Sequence, residues 1–458
     1  MADHTALMEE TLVALLRDKK YFSLRDILST MNPADIAAIF DGLEEDRLPL
    51  LFRLLPKELA ADAFVEMEPE AQELLIRGFS DSELRAVLDE LYVDDAVDIV
   101  EEMPANVVRR ILAQADPDMR KQINEILRYP EDSAGSIMTT EYVTLRPNMT
   151  VEEAIKRIRR TGVDKETIYT CYVTENRRLI GMCTVKDLLL CTDDDEVISE
   201  IMEENVISVN TLEDKEDVAQ MFSKYDFLAL PVVDAEGRLV GIVTFDDAMD
   251  VMEDEVTEDM EKMAAMLPSE KPYMRSSVWS IWKNRIPWLL LLMVSATFTG
   301  MILNHFEDAL ATQIVLTSFI PMLMDTAGNS GSQTSVTIIR GLSLGEIELR
   351  DLPRVLWKEF RVAILCGLTL GAAVFIKILL VDRALLGGEG ISLPVMLTVC
   401  FTMALTILCA KLVGGTLPIL AEKLGFDPAV MASPFITTIV DALALFVYFE
   451  IAAALLNL

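Results

Sequence analysis

The chain has 458 residues, of which 74 are acidic and 40 basic, a net charge of −34 with 52% hydrophobic residues. Acidity on this scale excludes a nucleic-acid binder. A mean hydropathy of +0.32 alongside 25% charged residues excludes both a wholly soluble chain and a wholly membrane-buried one.

The charge is split along the chain. Residues 1–275 hold 61 acidic and 29 basic residues, a net −32, whereas residues 276–458 hold 13 and 11. The front should be soluble and should attract cations, although the bland reading of such acidity is a solubilising surface. Two histidines, His4 and His305, give no support to zinc chemistry or histidine acid–base catalysis, and no enzyme is expected. Six cysteines without a CxxC spacing fit reduced thiols in a cytosolic setting. Charges throughout residues 1–25 exclude a signal peptide there, so the first hydrophobic span would act as internal signal.

Residues 1–130 read as an acidic, all-α helical superhelix. Apolar residues recur at three and four, as in Leu84, Val87, Leu88 and Leu91. Short helices are expected at 34–40, 59–67, 71–78, 82–91 and 96–103, with Pro33, Pro56, Pro69 and Pro104 near their boundaries.

Residues 131–252 contain an internal repeat. The first copy ends in Arg178-Leu179-Ile180-Gly181 and Thr184-Val185-Lys186-Asp187, the second in Arg238-Leu239-Val240-Gly241 and Thr244-Phe245-Asp246-Asp247. Each copy reads as β–α–β–β–α, with Asp234–Gly237 as a hairpin turn. This α+β arrangement resembles a tandem CBS-domain pair, a regulatory module that commonly senses nucleotides or ions.

A long amphipathic helix follows over 247–267 and reaches into a connecting segment at 253–275. One face carries Met249, Met252, Val256, Met260 and Met263, another Asp247, Asp250, Asp254, Glu258 and Glu261. Like charges at this spacing weaken a helix by about 0.2–0.5 kcal/mol per pair. The row either binds cations or is a solvated face.

Residues 276–458 read as a five-helix transmembrane domain, with spans near 285–304, 309–330, 358–381, 391–420 and 431–455. Basic residues before span one (Lys283, Arg285), between spans two and three (Arg340, Arg350, Arg354, Lys358, Arg361) and between spans four and five (Lys423) place those regions inside. The N-terminus is then cytoplasmic and the C-terminus outside. Lys377 and Lys411 either snorkel or pair with acidic neighbours.

The last span holds Asp441. An ionised carboxylate at membrane depth costs about 2.5–3.5 kcal/mol on insertion scales. Thr437, Thr438 and Asp441 share a helical face, and Pro434 loosens a carbonyl on the same side. These hard oxygen donors suit Mg²⁺ or Ca²⁺; a hydrogen-bonded aspartate tying helices together is the plain alternative. Asp325 is a second intramembrane carboxylate, followed by small and amide residues including Asn329. Asp427 before Pro428 reads either as a helix cap or as a metal ligand.

Order of domains and motifs then converge. With Gly328-Asn329-Ser330-Gly331-Ser332-Gln333, Gly425-Phe426-Asp427-Pro428-Ala429 and Pro434-Phe435-Ile436-Thr437-Thr438-Ile439-Val440-Asp441, the chain resembles the MgtE family of magnesium channels. The resemblance implies a homodimer in the cell membrane, a hydrated Mg²⁺ at Asp441, pore-lining roles for Thr437, Thr438, Pro434, Asn329 and Asp325, and Asp427 at the inner mouth. It implies regulatory metal positions at Asp94, Asp98, Asp214, Glu216, Asp226, Asp247, Asp250, Glu255, Glu258 and Asp259. ATP between the repeats would meet Lys186, Asp187 and Phe227, with Thr170 in place of an aromatic residue. The expected function is Mg²⁺ uptake, closed by Mg²⁺ on the acidic domains. The rivals are a membrane-anchored divalent-cation sensor and a transporter of another divalent ion, Mn²⁺ or Co²⁺.

Overall fold

The computed structural model describes residues 2–269, 273, 274, 276–385 and 391–456. The end of the expected connecting segment (270–272 and 275) and part of the loop after the third span (386–390) lie outside the described residues. The chain forms two compact units, 1–252 and 253–458.

In the first unit, ten helices run from Ala2–Arg17 to Pro117–Ile126. Prolines do start them. Pro33 and Pro117 sit at first helical positions behind caps from Asn32, whose Oδ1 accepts the Ala34 N–H at 3.1 Å, and Asp116, whose Oδ2 accepts from Asp118 at 3.0 Å. Pro56 and Pro104 hold cap positions of the helices Lys57–Val65 and Ala105–Gln114. The apolar faces merge into one core, with Leu24, Ile36, Leu51, Leu75 and Leu84 fully buried.

The repeat gives two three-stranded sheets of the same topology. Strand β1 (Val143–Leu145) pairs parallel with β2 (Thr170–Glu175), which pairs antiparallel with β3 (Arg178–Thr184). In the second copy β4 (Val209–Asn210), β5 (Ala229–Val233) and β6 (Leu239–Thr244) repeat this pattern. Both copies shift register at matching places, after Val173 and after Val232. The 234–237 turn closes through Gly237 N–H to Asp234 O at 2.9 Å, with Gly237 at φ 75°. The core of the helical part continues into the second copy through Val209, Val218, Phe222 and Val243.

Helix α1 (Phe245–Met263) begins directly after β6 and runs from one unit into the other. It starts two residues before and ends four residues before the expected 247–267. Its methionine face is not a packed stripe, because Met249, Val256 and Met260 are exposed.

Among the described residues, the long helices of the second unit are α2 (Val278–His305), α3 (Ile320–Ser343), α4 (Leu352–Lys377), α5 (Leu393–Lys423) and α6 (Ser433–Leu456). Among the described residues four helical stretches, containing α2, α4, α5 and α6, are long and apolar enough to cross a membrane. The second span corrects the expectation of 309–330. Residues 307–319 form a short helix and a 3₁₀ turn, and the helix proper runs over Ile320–Ser343. Its Gly, Ser, Asn and Gln lower its hydropathy yet stay helical because neighbours pack closely there. A Cβ at Gly331 would lie 3.0 Å from Ile436 Cγ2 and 3.2 Å from the Ala410 carbonyl. Gly367 of α4 likewise lies against Ala404 of α5.

Candidate ion site and acidic clusters

The intramembrane site forms where α3 and α6 lie side by side. A cleft of about 450 Å³ is lined by Asp325 and Asn329 of α3 and by Thr437 and Asp441 of α6, with Ile320 and Pro321 at one end. Gly328 makes the approach possible. A Cβ there would meet Thr437 Cγ2 at 3.1 Å and sit 3.5 Å from Asp441 Oδ1. The Thr437 and Thr438 hydroxyls both donate to the Pro434 carbonyl, at 3.0 and 2.9 Å. Both hydroxyls are therefore engaged by the backbone of their own helix. Thr437 still faces the cleft, whereas Thr438 and Pro434 are not among its lining residues.

Asp427 does not open α6. It caps a separate 3₁₀ turn, Pro428–Met431, with Oδ1 accepting the Ala429 N–H at 2.7 Å. Its Oδ2 lies 2.6 Å from Lys262 Nζ, which also reaches Glu258 Oε1 at 2.6 Å. Burial pulls the Lys262 ammonium down, but the hydrogen bonds to Asp427 and Glu258 override it and raise it. Asp259, raised by burial and by Asp427, accepts from Ser343 at 3.2 Å. The connecting helix thus meets the turn before α6 through a lysine. Sequence reading missed that partner; its signal was the i, i+4 spacing of Glu258 and Lys262. Glu255 carries an interaction of its own further up the helix.

A second acidic group lies in the first unit. Asp94 is 7% exposed, and its Oδ1 accepts no hydrogen bond. Burial, then Asp247, pushes it well up. Burial and Asp247 push Asp95 and Asp98 up to about 7, and burial with Asp95 pushes Glu166 to about 8. Asp247 rises to about 6 through burial, although the Thr244 hydroxyl donates to its Oδ2 at 2.6 Å. Besides burial, these carboxylates raise one another through like-charge repulsion. Asp95 and Glu166 were not expected from sequence, because their partners lie on distant segments.

The remaining expected ligands are engaged locally. Asp214 caps the helix Lys215–Tyr225 by accepting the Glu216 N–H at 2.9 Å, and Glu216 accepts from Gln220 at 3.3 Å. Asp226 is a left-handed C-cap at φ 55°. Asp250 adds charge beside Asp247. Among the described residues no group of three or more Asp, Glu, His or Cys side chains is arranged to hold a metal. Asp187 pairs with Thr184 in a capping box, its Oδ2 accepting the Thr184 N–H at 2.9 Å. Lys186 is exposed. Phe227 lines a separate cleft of about 340 Å³ with Phe222, Phe245 and Met249. Neither Lys186 nor Asp187 is among the lining residues of that cleft.

Comparison with known proteins agrees with this architecture. Family models match as a divalent cation transporter over residues 320–451, the MgtE intracellular N domain over 31–132, and CBS domains over 134–192 and 198–254. The chain is 38% identical to the magnesium transporter MgtE of Thermus thermophilus over 95% of both chains. It is 32% identical to that of Bacillus subtilis over 97% of both. A crystal structure of the cytosolic domain of the Mg²⁺ channel MgtE in complex with ATP superposes with TM-score 0.51 at 39% identity, covering 53% of this chain and 99% of that one.

Proposed function

Because the chain belongs to the MgtE family of divalent cation transporters, we propose that it is a Mg²⁺ channel of the cell membrane whose ion passes through the cleft at Asp441. The observation that carries this reading is two carboxylates, Asp325 and Asp441, facing one cleft between membrane helices. Mg²⁺ dehydrates reluctantly and keeps its waters, so one or two carboxylates suffice. Six waters at about 30 Å³ each fill about 180 Å³, and the cleft offers about 450 Å³.

A homodimer completes the path. Asp325, Asn329, Gln333 and Thr337 follow one another at four-residue spacing on α3 and are exposed. A polar stripe on a membrane helix needs a partner or a water-filled cavity, and a second copy across a two-fold axis supplies both. The basic residues flanking the helices support a cytoplasmic N-terminus and an outward C-terminus.

Regulation follows from the acidic groups. Hydrated Mg²⁺ drawn to the field of Asp94, Asp95, Asp98 and Asp247, without direct ligation by three of them, would offset their repulsion and favour the compact state of the first unit. Divalent ions at Glu258, Asp259 and Asp427 would act on the turn before α6. ATP enters as a modulator through Phe227, supported by the ATP complex of the related domain.

The test is Mg²⁺ uptake into proteoliposomes holding the purified chain, with Mn²⁺ and Co²⁺ in parallel. Uptake of Mg²⁺ is expected. A folded protein that passes no divalent ion would leave only a membrane-anchored sensor.

A further inference from the structure

We infer that Lys411, acting through Thr334, is a positioning residue for ion passage: it keys the rotation of α3 so that Asp325 and Asn329 face Asp441. The inference rests on the reading of that cleft as the ion path.

Three helices meet at this point. Lys411 of α5 is 6% exposed and Thr334 of α3 is 3% exposed. The Lys411 ammonium donates to Thr334 Oγ1 at 3.1 Å, and the Thr334 hydroxyl donates to Glu359 Oε2 of α4 at 3.0 Å. Lys411 Nζ lies 3.7 Å from the same carboxylate oxygen. The ammonium therefore stays inside the bundle, and the hydroxyl is the hub of a relay joining α5, α3 and α4.

Charged groups within membrane helices are costly and are kept where they pair. A buried ion pair is weak evidence of stability, since apolar groups would close such a junction as well. What it does supply is geometry: beside the apolar clusters that Leu323 and Ile338 join with residues of α5, it gives the α3–α5 crossing a directional tie. A Cβ at Gly414 would run into the Gly331 carbonyl, so the two helices touch glycine to glycine. Small residues let backbones approach closely. They fix distance, but a surface without side chains has no knob to fix rotation.

Thr334 sits where it can do so. A helix turns about 100° per residue. Asp325, nine residues earlier, is therefore about 180° round α3 from Thr334, and Asn329, five residues earlier, about 140°. Side chains on one side bind the relay while those opposite face the cleft. Any turn of α3 that breaks the relay swings Asp325 and Asn329 by the same angle. Ser335, whose hydroxyl donates to the Met431 carbonyl at 2.9 Å, adds a tie from the adjacent position toward α6.

The experiment measures initial Mg²⁺ uptake against Mg²⁺ concentration in proteoliposomes of the full chain, with thermal unfolding of the same preparations. Thr334→Val keeps the side-chain shape and removes both hydrogen bonds; Thr334→Ser keeps the hydroxyl. Half-saturating Mg²⁺ is expected to rise several-fold in Thr334→Val and to stay at the wild-type value in Thr334→Ser. Lys411→Met combined with Glu359→Gln leaves no unpaired charge and is expected to raise it as Thr334→Val does. It decides the question if Thr334→Val does not fold. Wild-type half-saturation in a folded Thr334→Val, whatever its melting temperature, overturns the inference and reduces the relay to a helix tie. Asp441→Asn in the same liposomes separates the two levels: wild-type uptake there overturns the reading of the cleft itself.

Discussion

Gly414 leaves no room for a side chain, because its Cβ would collide with the Gly331 carbonyl. Gly414→Ala must push α5 away from α3, and overpacking of this kind costs about 1–3 kcal/mol. A lower unfolding temperature in detergent and reduced Mg²⁺ uptake are the expected results; an unchanged melt would show that the two helices separate freely. The proposal for Asp441 starts from the sequence, since an ionised carboxylate in a long apolar run is costly to keep there. The convergence of Asp325 and Asn329 on it was legible only through their polarity at membrane depth. The partner of Asp427 was not legible. Its cap role is local and visible in Asp427-Pro428, whereas Lys262 lies on another helix far away in the chain. Lys411 was flagged as snorkelling or paired; its burial against Thr334 and Glu359 decides for pairing.

At the level of elements, the acidic row of α1 divides between two places. Asp247 turns to the carboxylates around Asp94, while Glu258 joins Lys262 and Asp427. Neutralising Asp247, Asp250 and Glu258 together is expected to leave conduction intact and to weaken closure by cytosolic Mg²⁺. Removing ligands lowers the differential affinity that shifts the two states. It also removes repulsion, which opposes the first effect; loss of ligands is expected to dominate, because one divalent ion engages several carboxylates at once. Open probability in excised patches against bath Mg²⁺ at constant ionic strength reads the outcome. Closure at the same or lower Mg²⁺ than wild type would make this face merely solvated. The short helices of the first unit were legible because proline and capping residues mark each start, and the repeat was legible because its two copies share turn and strand signals. The second helix lies about three to three and a half turns beyond the expected span. Hydropathy counts Gly, Ser and Asn against a membrane helix, while close packing is what keeps them there.

For the whole molecule, the excess of −32 over residues 1–275 is not spread evenly. Part of it is concentrated where burial raises Asp95 and Asp98 to about 7, Asp247 to about 6 and Glu166 to about 8. These groups hold protons more tightly in the folded unit than in the unfolded chain, where carboxyls titrate near about 4. The folded state then binds more protons between about pH 4 and pH 8, and stability falls as pH rises through that window. In metal-free buffer the soluble part should melt at a lower temperature at pH 8 than at pH 5.5, and Mg²⁺ should recover the loss at pH 8 more than matched monovalent salt does. A melting temperature that rises over that pH range would mean that the cluster is not a source of strain. Composition alone marks one boundary, where the charge falls away and the apolar helices begin; the middle of the chain was read from its repeat.

The central claim is that the ion passes Asp441. Mg²⁺ uptake into proteoliposomes containing Asp441→Asn, checked for folding by its melting curve and elution profile, tests it most directly. The account predicts nearly abolished uptake from a folded protein. Wild-type uptake from that variant would contradict it.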